Sequence, residues 1–123
     1  MPRRDLPSIE MLRKLLRYEP KTGTLFWLKR SPDMFRAEKY SKHRVCKAWN
    51  STWAGRRAGT IGGGRSRYRT LIIQGVSLKS HRVCWALYYG RWPVGFIDHI
   101  DGDKLNNRIN NLREASHTEN ARN

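Results

Sequence analysis

The stretch IDHIDGDKLNNRINNLR, residues 97–113, limits what this chain can fold into more than any other. Asp, Asn and Gly favour turns, because their short polar side chains bond nearby backbone or, for Gly, because left-handed geometry is free. The apolar GFIDHI that opens it, residues 95–100, reads as a short strand that delivers Asp98 and His99. DGDK turns the chain, and LREAS can pair back as a second strand. SHTENARN then opens a helix with a capping box, because Ser116 and Glu119 stand three apart.

Charge makes this segment stand out. The chain of 123 residues carries 25 Lys+Arg against 10 Asp+Glu, a formal charge of +15. Residues 1–97 hold 21 basic and 5 acidic side chains, whereas residues 98–123 hold 4 and 5. The block 29–69 alone holds 12 basic and 2 acidic. Such an excess fits a polyanion, and the carboxylate-bearing end fits a cation or chemistry on that polyanion. The block shows no amphipathic helical period, which argues against a membrane-surface role. No run of about 18 apolar residues is present, so no membrane span is expected. MPRRDLPSIE lacks the apolar core of a signal peptide. Cys46 and Cys84 lie far apart, and both read as reduced thiols of a cytoplasmic protein.

Upstream, PSIEMLRKLLRY predicts an amphipathic helix of about three turns, started by Ser8 and ended by Pro20. KTG turns, and TLFWL reads as a strand. Lys29–Arg57 is long for a structureless loop, so it is functional or ordered by its ligand. AGTIGGGRSRYRTLIIQGVSLKS reads as short strands separated by Gly turns. HRVCWALYYG predicts a helix stopped by Gly90.

Three cation chemistries can be weighed on residues 81–113. A calcium loop needs Asp/Asn at alternate positions, Gly at the sixth and Glu at the twelfth; neither Asp98 nor Asp101 starts such a pattern. His81 and Cys84 have helical spacing, but no second Cys/His pair completes a zinc site, and His81 reads as a packed or backbone-bonded histidine. Mg²⁺ needs only one or two oxygen side chains. Asp98 could be one, an Asn amide on the final helix another, and His99 could act as a general base. On composition alone, the segment reads equally as an Asx-rich turn.

HRVCWALYYGRWPVGFIDHIDGDKLNNRINNLREASHTENARN, residues 81–123, resembles the HNH endonuclease family in its phage-type, intron-associated branch. The specific part is D-H-I-D-G-D-x-x-N-N-x-x-x-N-L-R followed by E-N-x-x-N. LLRYEPKTGTLFW and the Gly-rich strands also resemble the N-terminal part of such proteins, and residues 30–57 do so weakly. The resemblance implies an α+β fold: a ββα-metal core over residues 81–123, preceded by an N-terminal helix and a small antiparallel sheet within residues 1–80, all in one compact domain. It implies Asp98 and Asn120 as ligands of one divalent cation, and His99 as the general base. Asn111 would orient the histidine and pin the loop, with Asn107 and Asn110 as alternatives. Many members have a histidine where this chain has Asn120; the amide oxygen is the harder donor, favouring Mg²⁺ or Mn²⁺. His117 ranks second for that place.

The expected partner is DNA, double-stranded by preference, with no organic cofactor. Arg56, Arg57, Arg65, Arg67, Arg69, Lys79 and Arg82 are the expected DNA contacts, clustered about Gly-rich turns that permit close backbone approach. The expected activity is phosphodiester hydrolysis, as a nick or a double-strand cut. A non-catalytic nucleic-acid-binding protein of degenerate HNH fold is the alternative, and the motif does not separate DNA from RNA. The chain ends three residues after Asn120, which reads as a minimal nuclease or a truncated one.

Overall fold

The computed structural model describes residues 6–62 and 67–115. Asn120, His117, the capping box at 116–119 and the helix expected there lie outside the described residues, as does Arg65.

Helix α1, Ile9–Leu15, begins where the Ser8 hydroxyl accepts the Met11 N–H at 3.0 Å. This cap satisfies one of the donors that a first turn leaves open. The helix is shorter than the sequence implies. It stops at Leu15, and Leu16–Glu19 is strand β1. Two forces override the helical pattern. Glu19 precedes Pro20, which disfavours helical geometry there. In addition, the extended chain buries Leu16 while exposing Arg17, and pairs in antiparallel register with β2, Thr24–Trp27. The four-residue turn between them closes on Gly23, whose N–H bonds the Glu19 carbonyl at 2.8 Å.

A second correction concerns Lys29–Arg57. A 3₁₀ turn at Pro32–Met34 leads to helix α2, Lys42–Trp53, capped by Ser41. Its inward side is not aliphatic, which is why no apolar period announces it. The Asn50 amide instead bonds both the N–H and the carbonyl of Arg30, at 2.8 and 2.9 Å. Trp49 packs edge-on to Trp27, and the Arg30 guanidinium lies 3.9 Å from the Trp49 ring centre. Lys42, Arg44 and Lys47 face solvent.

The Gly-rich region forms the expected small sheet, β3 (Thr60–Ile61), β4 (Arg69–Ile73) and β5 (Val76–Lys79), antiparallel in that order. Gln74 and Gly75 join β4 to β5 with φ of 52° and 77°, the left-handed pair that a two-residue hairpin requires. Helix α3, Ser80–Tyr89, follows at once and ends on Gly90 at φ 74°. It carries the centre of the core. Val83, Cys84 and Ala86 are fully buried, packed with Leu12, Leu15, Leu25, Leu71 and Leu112. Both cysteines are free and buried, and burial pushes the Cys84 thiol well above its ordinary range.

The chain then enters β6, Phe96–His99, and returns as β7, Leu112–Ala115, in the antiparallel pairing the sequence implies. Asp98 stands opposite Arg113 and His99 opposite Leu112. The class is α+β, with helices set against three small antiparallel sheets among the described residues. No described helix is long and apolar enough to cross a membrane.

Candidate active site

Strand β6 brings Asp98 and His99 to a cleft of about 520 Å³, which Lys79 of β5 and His81 of α3 also line. Tyr68 and Lys104 also line it. The ammonium groups of Lys79 and Lys104 lie 4.7 and 5.0 Å from the centre of the Tyr68 ring. One aromatic ring thus gathers two cations at the cleft.

His99 is 7% exposed, and its Nε2 lies 2.8 Å from the Asn107 side-chain oxygen. With the amide oxygen facing it, Nε2 is the donor in this contact. Asn107 is itself 2% exposed, and its backbone carbonyl accepts the Tyr18 hydroxyl. Three further contacts brace the same segment from the β1–β2 turn. The Ile109 N–H donates to the Pro20 carbonyl at 3.1 Å, and Arg108 Nε to the Lys21 carbonyl at 3.0 Å. Gly23 packs so closely that a Cβ there would sit 2.5 Å from backbone atoms of Asn107 and Arg108.

His81 is buried beside His99, ring centres 4.9 Å apart and edge-on, with Tyr68 5.1 Å away on another side. Burial first, then the neighbouring charges of His99, Lys79 and Arg82, push its pKa down to about 3. The neutral ring therefore packs against His99 without adding charge. This agrees with the packed-histidine reading; its neighbour His99, eighteen positions on, is a pairing that no sequence spacing signals.

The other carboxylates of the segment build the loop. Asp101 accepts the Asp103 N–H at 2.8 Å and the Asn106 amide at 2.7 Å, and Asp103 accepts the Leu105 N–H at 3.0 Å. The Asn111 amide closes the ring: its oxygen accepts the Asp101 N–H, and its nitrogen donates to Asp101 and to the Asn106 carbonyl, all at 2.9–3.0 Å. Hydrogen bonds from Asn106, the Asp103 backbone and Asn111 hold the Asp101 carboxyl below the usual range. The segment is thus an Asx-rich turn as well as one wall of a cleft. Asn111 pins the loop, whereas the contact to the histidine belongs to Asn107. Nothing in the spacing separates these two asparagines; the discriminating signal lies in Tyr18 and Gly23, some eighty residues away.

The expected DNA contacts divide. Lys79 lines the cleft, and Arg56, Arg57 and Arg67 are exposed. Arg69 and Arg82 are half-buried and held by backbone oxygens, and Arg82 also lines the cleft. Arg69 donates to the Gly59 carbonyl at 3.3 Å, and Arg82 to the carbonyls of Gly95 and Pro93 at 2.9 and 3.4 Å. Burial lowers the pKa of both. Arg82 therefore ties α3 to the turn that feeds β6.

A divalent cation fits the donors at the cleft only in a narrow way. Among the described residues no three His, Cys, Asp or Glu side chains gather into a cage. A hard cation that keeps most of its waters needs just the Asp98 carboxylate and one further oxygen.

Residues 79–122 match a family model described as HNH endonuclease. That segment, just over a third of the chain, is similar to the HNH endonuclease family. It contains β6, the loop, β7 and all of α3. A solved structure described as "DNA binding and cleavage by the HNH homing endonuclease I-HmuI" shares the fold over 94% of this chain, with a TM-score of 0.55 and 20% identity. This chain spans 55% of the length of that one, and the likeness extends well upstream of the HNH segment. No curated protein matches the chain in sequence.

Proposed function

We propose that this chain is a metal-dependent DNA endonuclease that hydrolyses phosphodiester bonds at the Asp98–His99 cleft. The observation that carries the reading is the His99–Asn107 contact. An imidazole held by a buried amide at one nitrogen keeps the other as a base, at the wall of a cleft with a cationic rim.

In this reading Lys79 and Lys104 draw the phosphodiester to the cleft by charge. His99 takes a proton from the attacking water at Nδ1, and Asn107 keeps the ring in the required tautomer. Asp98, with Asn120 as the second candidate, would hold Mg²⁺ or Mn²⁺, which when bound offsets negative charge on the phosphate and leaving oxygen. Asn111 holds the loop that carries Asn107. A single site per chain cuts one strand, so a monomer nicks.

Supercoiled plasmid incubated with the protein and Mg²⁺ should relax to the nicked circle, and a chelator should stop the reaction. DNA ligase alone should reseal the nick, because hydrolysis at the 3′ oxygen leaves 5′-phosphate and 3′-hydroxyl ends. DNA bound but uncut at every divalent cation tried would favour a non-catalytic binding protein instead.

A further inference from the structure

The carboxylate assigned to the cation already has a cationic partner. Arg113 Nη2 lies 2.6 Å from Asp98 Oδ2. The contact is built into the sheet, since the two residues are direct cross-strand partners in the β6–β7 register. Opposite charges at such a position attract without any rearrangement of backbone. The other described carboxylates of this region are engaged elsewhere. Glu114, next to Arg113 in β7, accepts Arg91 at 3.3 Å through each oxygen and the Val94 N–H at 2.6 Å. Asp101 and Asp103 are engaged inside the loop.

We infer that Arg113 is a latch on Asp98: its guanidinium occupies the carboxylate in the free protein, and a divalent cation loads only by displacing it. The inference rests on the assignment of the cation to Asp98. One carboxylate charge cannot satisfy the guanidinium and the cation fully at once, so the two compete. The side chains are 52% and 26% exposed, so the pair is neither dry nor fully screened. Arg113 thereby sets how much cation the cleft needs, and keeps the carboxylate neutralised when no metal is at hand.

The test is calorimetric titration of Mn²⁺ into five proteins at low salt: wild type, Asp98→Asn, Arg113→Gln, Arg113→Lys and Arg91→Gln. Asp98→Asn should lose most of the affinity. Arg113→Gln should bind Mn²⁺ about two- to fivefold more tightly, the range of one partly exposed ion pair. Arg113→Lys keeps the charge and the strand position, so it should gain less, and it serves if the glutamine variant is poorly folded. Arg91→Gln removes an equal charge, one that faces Glu114 of β7, without freeing Asp98, and should change affinity less than Arg113→Gln. Unchanged or weaker binding by both Arg113 variants, with Asp98→Asn impaired, would overturn the latch and leave the proposed function standing. An equal gain in Arg91→Gln would overturn it too, as a general charge effect. Unaltered binding by Asp98→Asn would remove the metal assignment itself, and the latch with it.

Discussion

His99 contacts the buried amide of Asn107, one of three asparagines that the motif fixes without ranking. Asn107 is almost fully buried, and its side-chain oxygen faces His99 Nε2. Asn107→Ala should lower single-turnover cleavage by about 10- to 100-fold, the usual cost of removing the partner that orients a functional histidine. Its DNA affinity should stay near wild type; full activity would show that the ring needs no such partner. His81 offers a second test at this scale. Its pKa is about 3 in the folded protein against about 6.5 in an unfolded chain, so between those values the unfolded state binds the extra proton. Stability from this group is therefore complete above about pH 6.5 and declines as pH falls toward 3. His81→Phe should show a shallower fall in Tm from pH 6.5 to 4.5 than wild type. Equal slopes would mean that His81 titrates as an ordinary exposed histidine. The sequence announces His99 and Asp98 because strand, turn and motif coincide there. It cannot rank four asparagines, since their burial is decided by a hairpin far away in the chain.

That hairpin shows what single elements do for the site. The β1–β2 hairpin touches the 107–109 segment through Tyr18, Pro20, Lys21 and Gly23. Gly23 combines a φ of 78° with backbone contact, so a methyl group there meets both strain and a clash. Gly23→Ala should destabilise by more than about 1 kcal/mol, because the native geometry excludes a side chain. Cleavage should fall with it at temperatures well below Tm, because the clash falls on Asn107. A variant with lowered Tm and wild-type cleavage would separate the hairpin from the site. Element boundaries are legible where local chemistry decides them. Ser8 caps α1, Gln74–Gly75 turns the hairpin and Gly90 ends α3. They are not legible where packing decides. Leu16 and Tyr18 satisfy a helical face and a strand alternation alike, and tertiary pairing selects the strand. Helix α2 is anchored through Asn50, Cys46 and Trp49, a pattern with no aliphatic period to read.

Across the whole molecule, charge adds along the chain, so the excess over residues 29–69 can be counted directly. Which arginines reach outward cannot, because a carbonyl in a neighbouring loop decides it. Arg56, Arg57 and Arg67 are exposed, while Arg69 and Arg82 are held by backbone oxygens. Replacing Arg56, Arg57 and Arg67 together with Ala should flatten the salt dependence of DNA binding, by about 0.9 in the log–log slope for each phosphate left without a cationic partner. Arg69→Ala should instead lower Tm with little change in that slope. The reverse pattern would place the phosphate contact at Arg69 instead. In the proposed reading the cleft performs hydrolysis through His99, while DNA affinity rests on cationic side chains and not on His99. The most direct measurement is the single-turnover cleavage rate of His99→Ala at saturating DNA with Mg²⁺, beside its DNA dissociation constant. The rate should fall by about 10²–10⁴, the usual contribution of a general base, with the dissociation constant close to wild type. Wild-type turnover in His99→Ala would contradict it.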